Sequence, residues 1–236
     1  MKWTPVDYRG LSWAARKEPR FRHIYLLLFW PLFGLLFLAV ELSWPGRSYT
    51  AVSCALDELI PFCEWFVIPY LFWFVYLIGM MAYGFFFDVE NFTRMMKYVI
   101  ITYSVTMVIY LLFPTMQELR PMDFPRDNLL TTLVGMLYAF DTNTNVCPSI
   151  HVLGSFAAMY AGWNSRHFSS KPWRIAFAVV CALICVSTLF MKQHSAVDVI
   201  TALPIALAAY PIAFGCREER HSQRRAYALC AAAEPL

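Results

Sequence analysis

Long runs of apolar residues, separated by short polar stretches, occupy most of the chain. A helix that crosses a membrane needs roughly 20 largely apolar residues. By this measure, the hydropathy pattern predicts helices over 24–42, 65–87, 97–113, 149–163, 174–191 and 196–215. The fourth is the shortest, and the segment before it, 114–148, is predicted to be the longest loop. The sequence therefore predicts an all-α, polytopic membrane protein, a six-transmembrane-helix bundle.

Composition supports this prediction. Hydrophobic residues make up 59% of the 236 residues and charged residues only 15%, whereas a soluble domain averages about 25% charged residues. The chain therefore has too few polar side chains to cover a water-facing surface. Because it contains no internal repeat and no long linker, we expect one membrane domain, 24–215, between a basic N-terminal segment, 1–23, and a C-terminal tail, 216–236.

The N-terminal half contains three segments that each need an interpretation. The first apolar run follows basic residues, but it is long and no small-residue cleavage pattern closes it, so we read it as a retained helix. Residues 8–22 mix aromatic and basic side chains and would form either an amphipathic surface helix or a disordered basic tail. Residues 53–63 could form a short interfacial helix starting at Ser53.

The basic residues predict the orientation of the helices. Six spans place both termini on one side of the membrane. Of the 19 Lys and Arg residues, only Arg47, Arg120, Arg126 and Lys192 would lie on the opposite side. Positive residues prefer the cytoplasmic side of a membrane. We therefore expect cytoplasmic termini and an outward-facing set of loops.

Three polar stretches interrupt the apolar pattern, and the predicted topology places all of them on the outer face. They are Glu118–Pro121 in the long loop, Cys147–His151 at the start of the fourth helix, and Lys192–Asp198 between the last two helices. Ionisable residues at or within membrane helices are costly and indicate function by default. Their convergence on one face predicts a catalytic site there.

Several residues of the second and third stretches suit a chemical role. Pro148 fits the first turn of a helix, and Ser149 with the neighbouring free amides would form an anion site at that helix N-terminus. His151, just inside the same helix, could give a proton to a bound group. His194 and Asp198 are spaced four residues apart, so the carboxylate can fix the ring tautomer and leave one nitrogen as nucleophile or base.

Two cations extend this picture toward phosphate. Arg120 offers a planar fork that matches phosphate oxygens, and Lys192 adds a point charge. Taken alone, Arg120 could be a surface charge and Lys192 a snorkelling residue at a helix end. Two His and an Asp could also ligate zinc, but the neighbouring cations favour an anion over a metal. We expect no metal and no cofactor.

The cysteines give no metal pattern. The seven Cys residues include no C-x-x-C pair. Cys181 and Cys185 lie one turn apart in an apolar helix, where packing is the simpler explanation. Cys54 and Cys63 share an outer loop, so a disulfide between them is an open alternative in an oxidising compartment.

The three polar stretches resemble the motifs of the type-2 phosphatidic acid phosphatase superfamily. C-P-S-I-H at 147–151 is similar to the family's P-S-G-H element, and S-T-L-F-M-K-Q-H-S-A-V-D at 187–198 is similar to its S-R-x5-H-x3-D element. R-P at 120–121 matches the end of its K-x6-R-P element. The motifs cover about 113–198, and the six-helix layout extends the resemblance over most of the chain.

The resemblance implies a role for each candidate residue. His194 would be the nucleophile and form a phosphohistidine, and Asp198 would orient it. His151 would protonate the leaving oxygen, while Ser149 and Arg120 would hold the phosphate.

The chain also departs from the family pattern. Phe113 stands where the family has its first Lys, Ile150 replaces the Gly of P-S-G-H, and Thr188 replaces the Arg of S-R. Lys192 could substitute for one of the missing cations.

The leading hypothesis is therefore a metal-independent lipid phosphatase that acts on a membrane phospholipid or an isoprenoid pyrophosphate. The alternatives are a lipid head-group phosphotransferase like the sphingolipid synthases and a non-catalytic transporter or scaffold. The lipid bilayer is the expected environment, without a nucleic-acid partner. A bacterial inner membrane is the preferred location, and the sequence leaves the oligomeric state open.

Overall fold

The computed structural model of the chain describes residues 5–15, 18–42, 48–168 and 170–215. Its helices are α1 (Phe29–Leu42, continuing a 3-10 helix over Pro19–Leu28), α2 (Ala55–Leu59), α3 (Val67–Phe87, after a 3-10 turn over Glu64–Phe66), α4 (Val89–Leu112), α5 (Leu129–Phe140), α6 (Ile150–Asn164), α7 (Lys171–Phe190) and α8 (Ala196–Phe214). Two short strands, β1 (Thr50–Ala51) and β2 (Thr115–Met116), pair in parallel.

Within the described part of the chain, five helices are long and apolar enough to cross a membrane. These are α3, α4, α7 and α8, together with the continuous segment Phe21–Leu42 that contains α1. Much of their surface is apolar and exposed on the bundle, as lipid contact requires. The described chain is thus an all-α membrane protein, apart from the two-residue strands.

The shorter helix α6 lies at the centre of the bundle. It has 15 residues and packs against α3, α4, α7 and α8. Most of its side chains are buried, and many of them are Gly, Ala or Ser. Small residues let neighbouring helix backbones approach closely. The first turn of α6 is therefore held in a fixed place among the other helices.

Gly154 is a point of close packing on α6. A Cβ at this position would lie 2.8 Å from the Tyr103 hydroxyl and 2.9 Å from Nε1 of Trp73. We expect Gly154→Ala to destabilise the protein by about 1–3 kcal/mol, because the Trp73 ring has to move. The measurement is thermal unfolding in detergent. Gly34→Ala is the control, since a Cβ there meets nothing within 4 Å; equal melting temperatures for the two variants would contradict the prediction.

Several helix boundaries differ from the sequence prediction. The helix predicted over 97–113 begins earlier, at Val89, because Asp88 caps it by accepting a hydrogen bond from Asn91 N at 3.3 Å. The predicted loop 114–148 contains α5, which at 12 residues is too short for a span-length window. The helices predicted over 24–42, 65–87, 149–163, 174–191 and 196–215 agree with the structure within a few residues, although the first begins as a 3-10 helix. The fourth of the predicted spans, α6, has only 15 residues and is not among the five helices of span length.

The helices predicted within 8–22 and 53–63 have different outcomes in the structure. Residues 8–15 form turns rather than an amphipathic helix, because Tyr8 packs inward and its hydroxyl donates to the Phe85 carbonyl at 2.6 Å. Within 53–63 the structure has only the five-residue α2, which begins after Cys54. The predicted tail, 216–236, lies outside the described residues, as do Arg16, Lys17 and Arg47.

Candidate catalytic site

Two carboxylates, the buried Glu64 and the half-buried Glu41, fasten the connecting segments at one end of the bundle. This end, where α4 and α7 stop and α6 and α8 begin, is here called the site end. Glu64 accepts hydrogen bonds from Arg126 at 2.7 and 2.8 Å, just before α5. Glu41, at the end of α1, accepts from Thr144 at 2.6 Å and from Asn145. The segments on either side of α5 are thereby held against α1 and α3.

The site end brings His151, His194 and Asp198 into one hydrogen-bonded row. Nδ1 of His194 lies 3.0 Å from Oδ2 of Asp198, and its Nε2 lies 3.3 Å from Nδ1 of His151. All three side chains are buried. Because a carboxylate accepts, it assigns the proton of His194 to Nδ1 and leaves the lone pair of Nε2 facing His151.

Local backbone structure explains the position of His194. Lys192 adopts a left-handed conformation, with φ 51°, after α7 ends. The amides of Gln193 and His194 both donate to the Thr188 carbonyl, at 3.1 and 3.2 Å. His194 therefore lies before α8, not in its first turn as the four-residue spacing had suggested. The contact with Asp198 forms nonetheless.

Asp198 serves both the helix and the histidine. Ser195 is the N-cap of α8, and its amide donates to Oδ2 of Asp198 at 3.0 Å, completing a capping box. The same oxygen accepts from His194, while Oδ1 has no partner among the described residues. One carboxylate oxygen thus fixes the helix start and the imidazole orientation together.

His151 occupies the first turn of α6, as the sequence predicted. Its ring lies against two aromatic rings of α3, with centroid distances of 4.7 Å to Tyr70 and 4.6 Å to Trp73. These two aromatic residues were not predicted, since a long aromatic helix gives no signal that distinguishes site residues from lipid-facing ones. They hold the imidazole in one orientation and limit water around it.

Ser149 lies beside the row and is fully buried. Its hydroxyl oxygen accepts from Val152 N at 3.4 Å, as an N-cap does, and its amide donates to the Asp198 carbonyl at 3.1 Å. The hydroxyl hydrogen is not used in these contacts. Among the described residues, the amides of Ile150 and His151 have no acceptor. These donors at a helix N-terminus suit an anion.

Arg120 reaches the site but is largely engaged by protein acceptors. Its Nη groups donate to the carbonyls of Tyr138 at 3.2 Å, Asp141 at 3.0 Å and Thr142 at 2.9 Å, and to Oε1 of Gln193 at 2.5 Å. Only Nε lacks a partner. Burial lowers the pKa of Arg120, and the charge of Asp141 partly opposes this. The guanidinium thus holds the C-terminal end of α5 and, through Gln193, the residue next to His194.

Lys192 points away from the two histidines. Its Nζ donates to the carbonyls of Asp57 at 2.7 Å and of Ile60, at the end of α2. Burial lowers the pKa of this ammonium, and the charge of Asp57 partly offsets the effect. In this arrangement Lys192 fastens the loop before His194 to α2. The assignment of Lys192 to phosphate stays a prediction.

Neither a disulfide nor a metal cluster is present among the described residues. Cys54 and Cys63 are free, so the alternative of a bond between them is not realised. No group of three or more His, Cys, Asp or Glu side chains in the described ranges is arranged to hold a metal ion.

The fold and this row of side chains define the chain as a helical membrane protein with a buried His–His–Asp arrangement at one end of its bundle. Comparison of the sequence with family models, with curated proteins and, for the structure, with solved structures finds no match.

Proposed function

We propose that the protein is a metal-independent lipid phosphatase that transfers a phosphoryl group from a membrane lipid to His194 and then to water. The observation that carries the proposal is the row Asp198, His194, His151, with contacts of 3.0 and 3.3 Å. It provides a nucleophile, His194, whose ring is oriented by a carboxylate. It also places a second imidazole, that of His151, next to the unprotonated nitrogen of the nucleophile. This is the arrangement that covalent catalysis with a general acid requires.

The reaction follows from that geometry. The lone pair of His194 Nε2 attacks phosphorus, and the bond between phosphorus and the leaving oxygen breaks. His151, protonated, gives its proton to that oxygen, so the lipid alcohol or lipid phosphate departs neutral or with one charge fewer. Water then attacks the phosphohistidine and loses a proton to His151, which restores both residues and releases inorganic phosphate.

Phosphate binding is assigned to Ser149, Arg120 and Lys192. The buried hydroxyl of Ser149 and the free amides of the first turn of α6 support this assignment most directly. Arg120 and Lys192 contribute positive charge close to the loop that contains His194, although their present hydrogen bonds go to carbonyls and to Gln193. A phosphoryl group enters by parting the two imidazoles.

The proposed fold is a six-transmembrane-helix bundle in which α6 completes the membrane domain, as in the superfamily whose motifs the chain resembles. The central position of α6 supports this. We place the termini in the cytoplasm and the site end on the outer side of a bacterial inner membrane, because few Lys and Arg residues lie near that end. The substrate is a phospholipid or isoprenoid pyrophosphate of this membrane.

The second candidate is a head-group phosphotransferase, and one observation favours it. Phe113, exposed, and Thr188, fully buried, replace two family cations, and the remaining Arg120 and Lys192 donate to protein acceptors. A site with little free positive charge is better suited to a phosphodiester, with one negative charge, than to a phosphate dianion. The acceptor would then be an alcohol in place of water.

One experiment separates the two candidates. Purified protein in detergent, with EDTA present, is incubated with a panel of phospholipids and isoprenoid pyrophosphates, with and without a lipid alcohol. We expect inorganic phosphate to be released at a rate that EDTA does not change. A head group moved onto the added alcohol would favour the transferase, and turnover that EDTA abolishes and zinc restores would contradict the metal-free mechanism.

A further inference from the structure

A buried carboxylate from α2 occupies the start of α8, next to His194. Asp57 is only 5% exposed. Its Oδ2 accepts from the Ser195 hydroxyl at 2.6 Å, and its Oδ1 accepts from the Ala196 amide at 2.8 Å. Oδ2 also accepts from the Cys54 amide at 2.8 Å, which fixes Asp57 within its own helix.

The loop on the other side of His194 is attached to the same short helix. Nζ of Lys192 donates to the carbonyls of Asp57 and Ile60. His194 therefore lies between two points of attachment, Lys192 before it and Ser195 after it, both made to α2. The left-handed backbone at Lys192, which few non-glycine residues adopt, is held in place by these contacts.

Hydrogen bonding favours the charged form of Asp57, which is therefore an anion at neutral pH. Burial raises its pKa, but the hydrogen bonds from Ser195, Ala196 and Cys54 outweigh burial and leave the pKa below its ordinary value. A negative charge at a helix N-terminus is favourable. Asp57 accepts hydrogen bonds from the Ser195 hydroxyl and the Ala196 amide. Of these donors at the start of α8, only the Ser195 amide is left to Asp198, whose Oδ2 therefore keeps its alignment with His194.

We infer that Asp57 is a positioning residue for His194. It acts through Ser195 and Ala196, whose fixed placement sets where the His194–Asp198 pair stands relative to His151. The hydrogen bonds of its side chain are to the start of α8 and to its own helix, and none of them is to the histidines. The catalytic consequence rests on the proposed phosphoryl transfer, whereas the structural consequence for the His194 ring does not.

The kinetic test uses Asp57→Asn, which keeps the size of the side chain but removes the charge and one acceptor. We expect kcat to fall about 10- to 100-fold, because small misplacements of a reacting group have effects of this size. KM should stay within about twofold, since the inferred role includes no substrate contact. Glu58→Gln is the matched control: it removes the same charge from an exposed neighbour in α2 and should leave both constants unchanged.

Ser195→Ala tests the same connection independently of whether Asp57→Asn folds correctly. It removes the hydroxyl, which donates to Asp57 and accepts from Val197 N at 3.2 Å, but it leaves the Ala196 contact of Asp57 in place, and we expect a smaller fall in kcat. The double variant should be no slower than Asp57→Asn, because both changes break one connection and their effects should not add. Additive effects, or a loss seen only as a raised KM, would overturn the inference.

A spectroscopic test keeps the inference separate from the proposed function. Protein labelled with ¹⁵N-histidine in lipid nanodiscs should show His194 protonated at Nδ1 only. Asp57→Asn should give a mixture of tautomers that Glu58→Gln does not. If no lipid phosphate is turned over but this change appears, the proposed function fails and the positioning role stands. If the wild type is active and Asp57→Asn alters neither kcat nor the His194 signal, the positioning role fails alone.

Discussion

Replacing His194 with alanine should abolish phosphate release from the lipid substrate, with a loss of about 10⁴-fold or more, the scale seen when a covalent nucleophile is removed. The reason is that Nε2 of His194 is the one ring nitrogen in the row that has its lone pair free and its orientation fixed by a carboxylate. The measurement is the initial rate of phosphate release in detergent, at substrate concentrations around the KM of the wild type.

The covalent intermediate provides a more direct measurement. With a substrate labelled in its phosphate, rapid quenching should trap label on the wild type that resists base and is lost in acid, as a phosphoramidate is. His194→Ala should retain no label, whereas Met122→Ala, at a position that is 99% exposed, should match the wild type. An unchanged rate in His194→Ala would contradict the catalytic proposal and favour a non-catalytic membrane protein.

Replacing Asp198 with asparagine should lower kcat by about 10³- to 10⁴-fold, the effect of the corresponding change in a Ser-His-Asp triad. The amide of asparagine can donate to Nδ1 of His194, and this favours the tautomer in which Nε2 bears the proton and cannot attack. Because Asp198 also accepts from the Ser195 amide, some destabilisation of α8 should accompany the loss.

Two readouts distinguish the tautomer effect from unfolding. The melting temperature of Asp198→Asn should fall by only a few degrees, and its trapped phosphohistidine should be nearly absent. Asp123→Asn makes the same change at an exposed position of the loop before α5 and should behave as the wild type in both assays. A variant with normal melting and normal phosphohistidine formation would show that Asp198 does not orient the nucleophile.

The sequence predicted the parts of this protein that depend on local pattern. Hydropathy located the membrane helices, because apolar length is itself the physical requirement for crossing a bilayer. The meeting of His151, His194 and Asp198 was also predictable, since helix direction alone places their segments at one end of the bundle. The short helix α5 was not predicted, because its apolar stretch is shorter than a membrane span.

The partners of the cations were not predictable from sequence. Arg120 and Lys192 were assigned to phosphate because of their charge, but charge does not reveal which carbonyls lie nearby in the fold. In the structure, Arg120 donates to backbone oxygens at the end of α5 and just after it, and Lys192 donates to backbone oxygens of α2 and its end. The role of Asp57 was not predictable either, because one acidic residue in a predicted loop gives no sign that it will contact the start of α8.

The engagement of Arg120 has a consequence for ligand affinity. A guanidinium has five N–H donors, and four donor contacts of Arg120 already go to α5, the residues just after it and Gln193. Any phosphate oxygen that binds an Nη group must displace one of these acceptors. The free energy of phosphate binding is therefore reduced by the cost of breaking a hydrogen bond that anchors this region. Ligand binding and the anchoring of α5 therefore compete for one side chain, and strengthening either weakens the other.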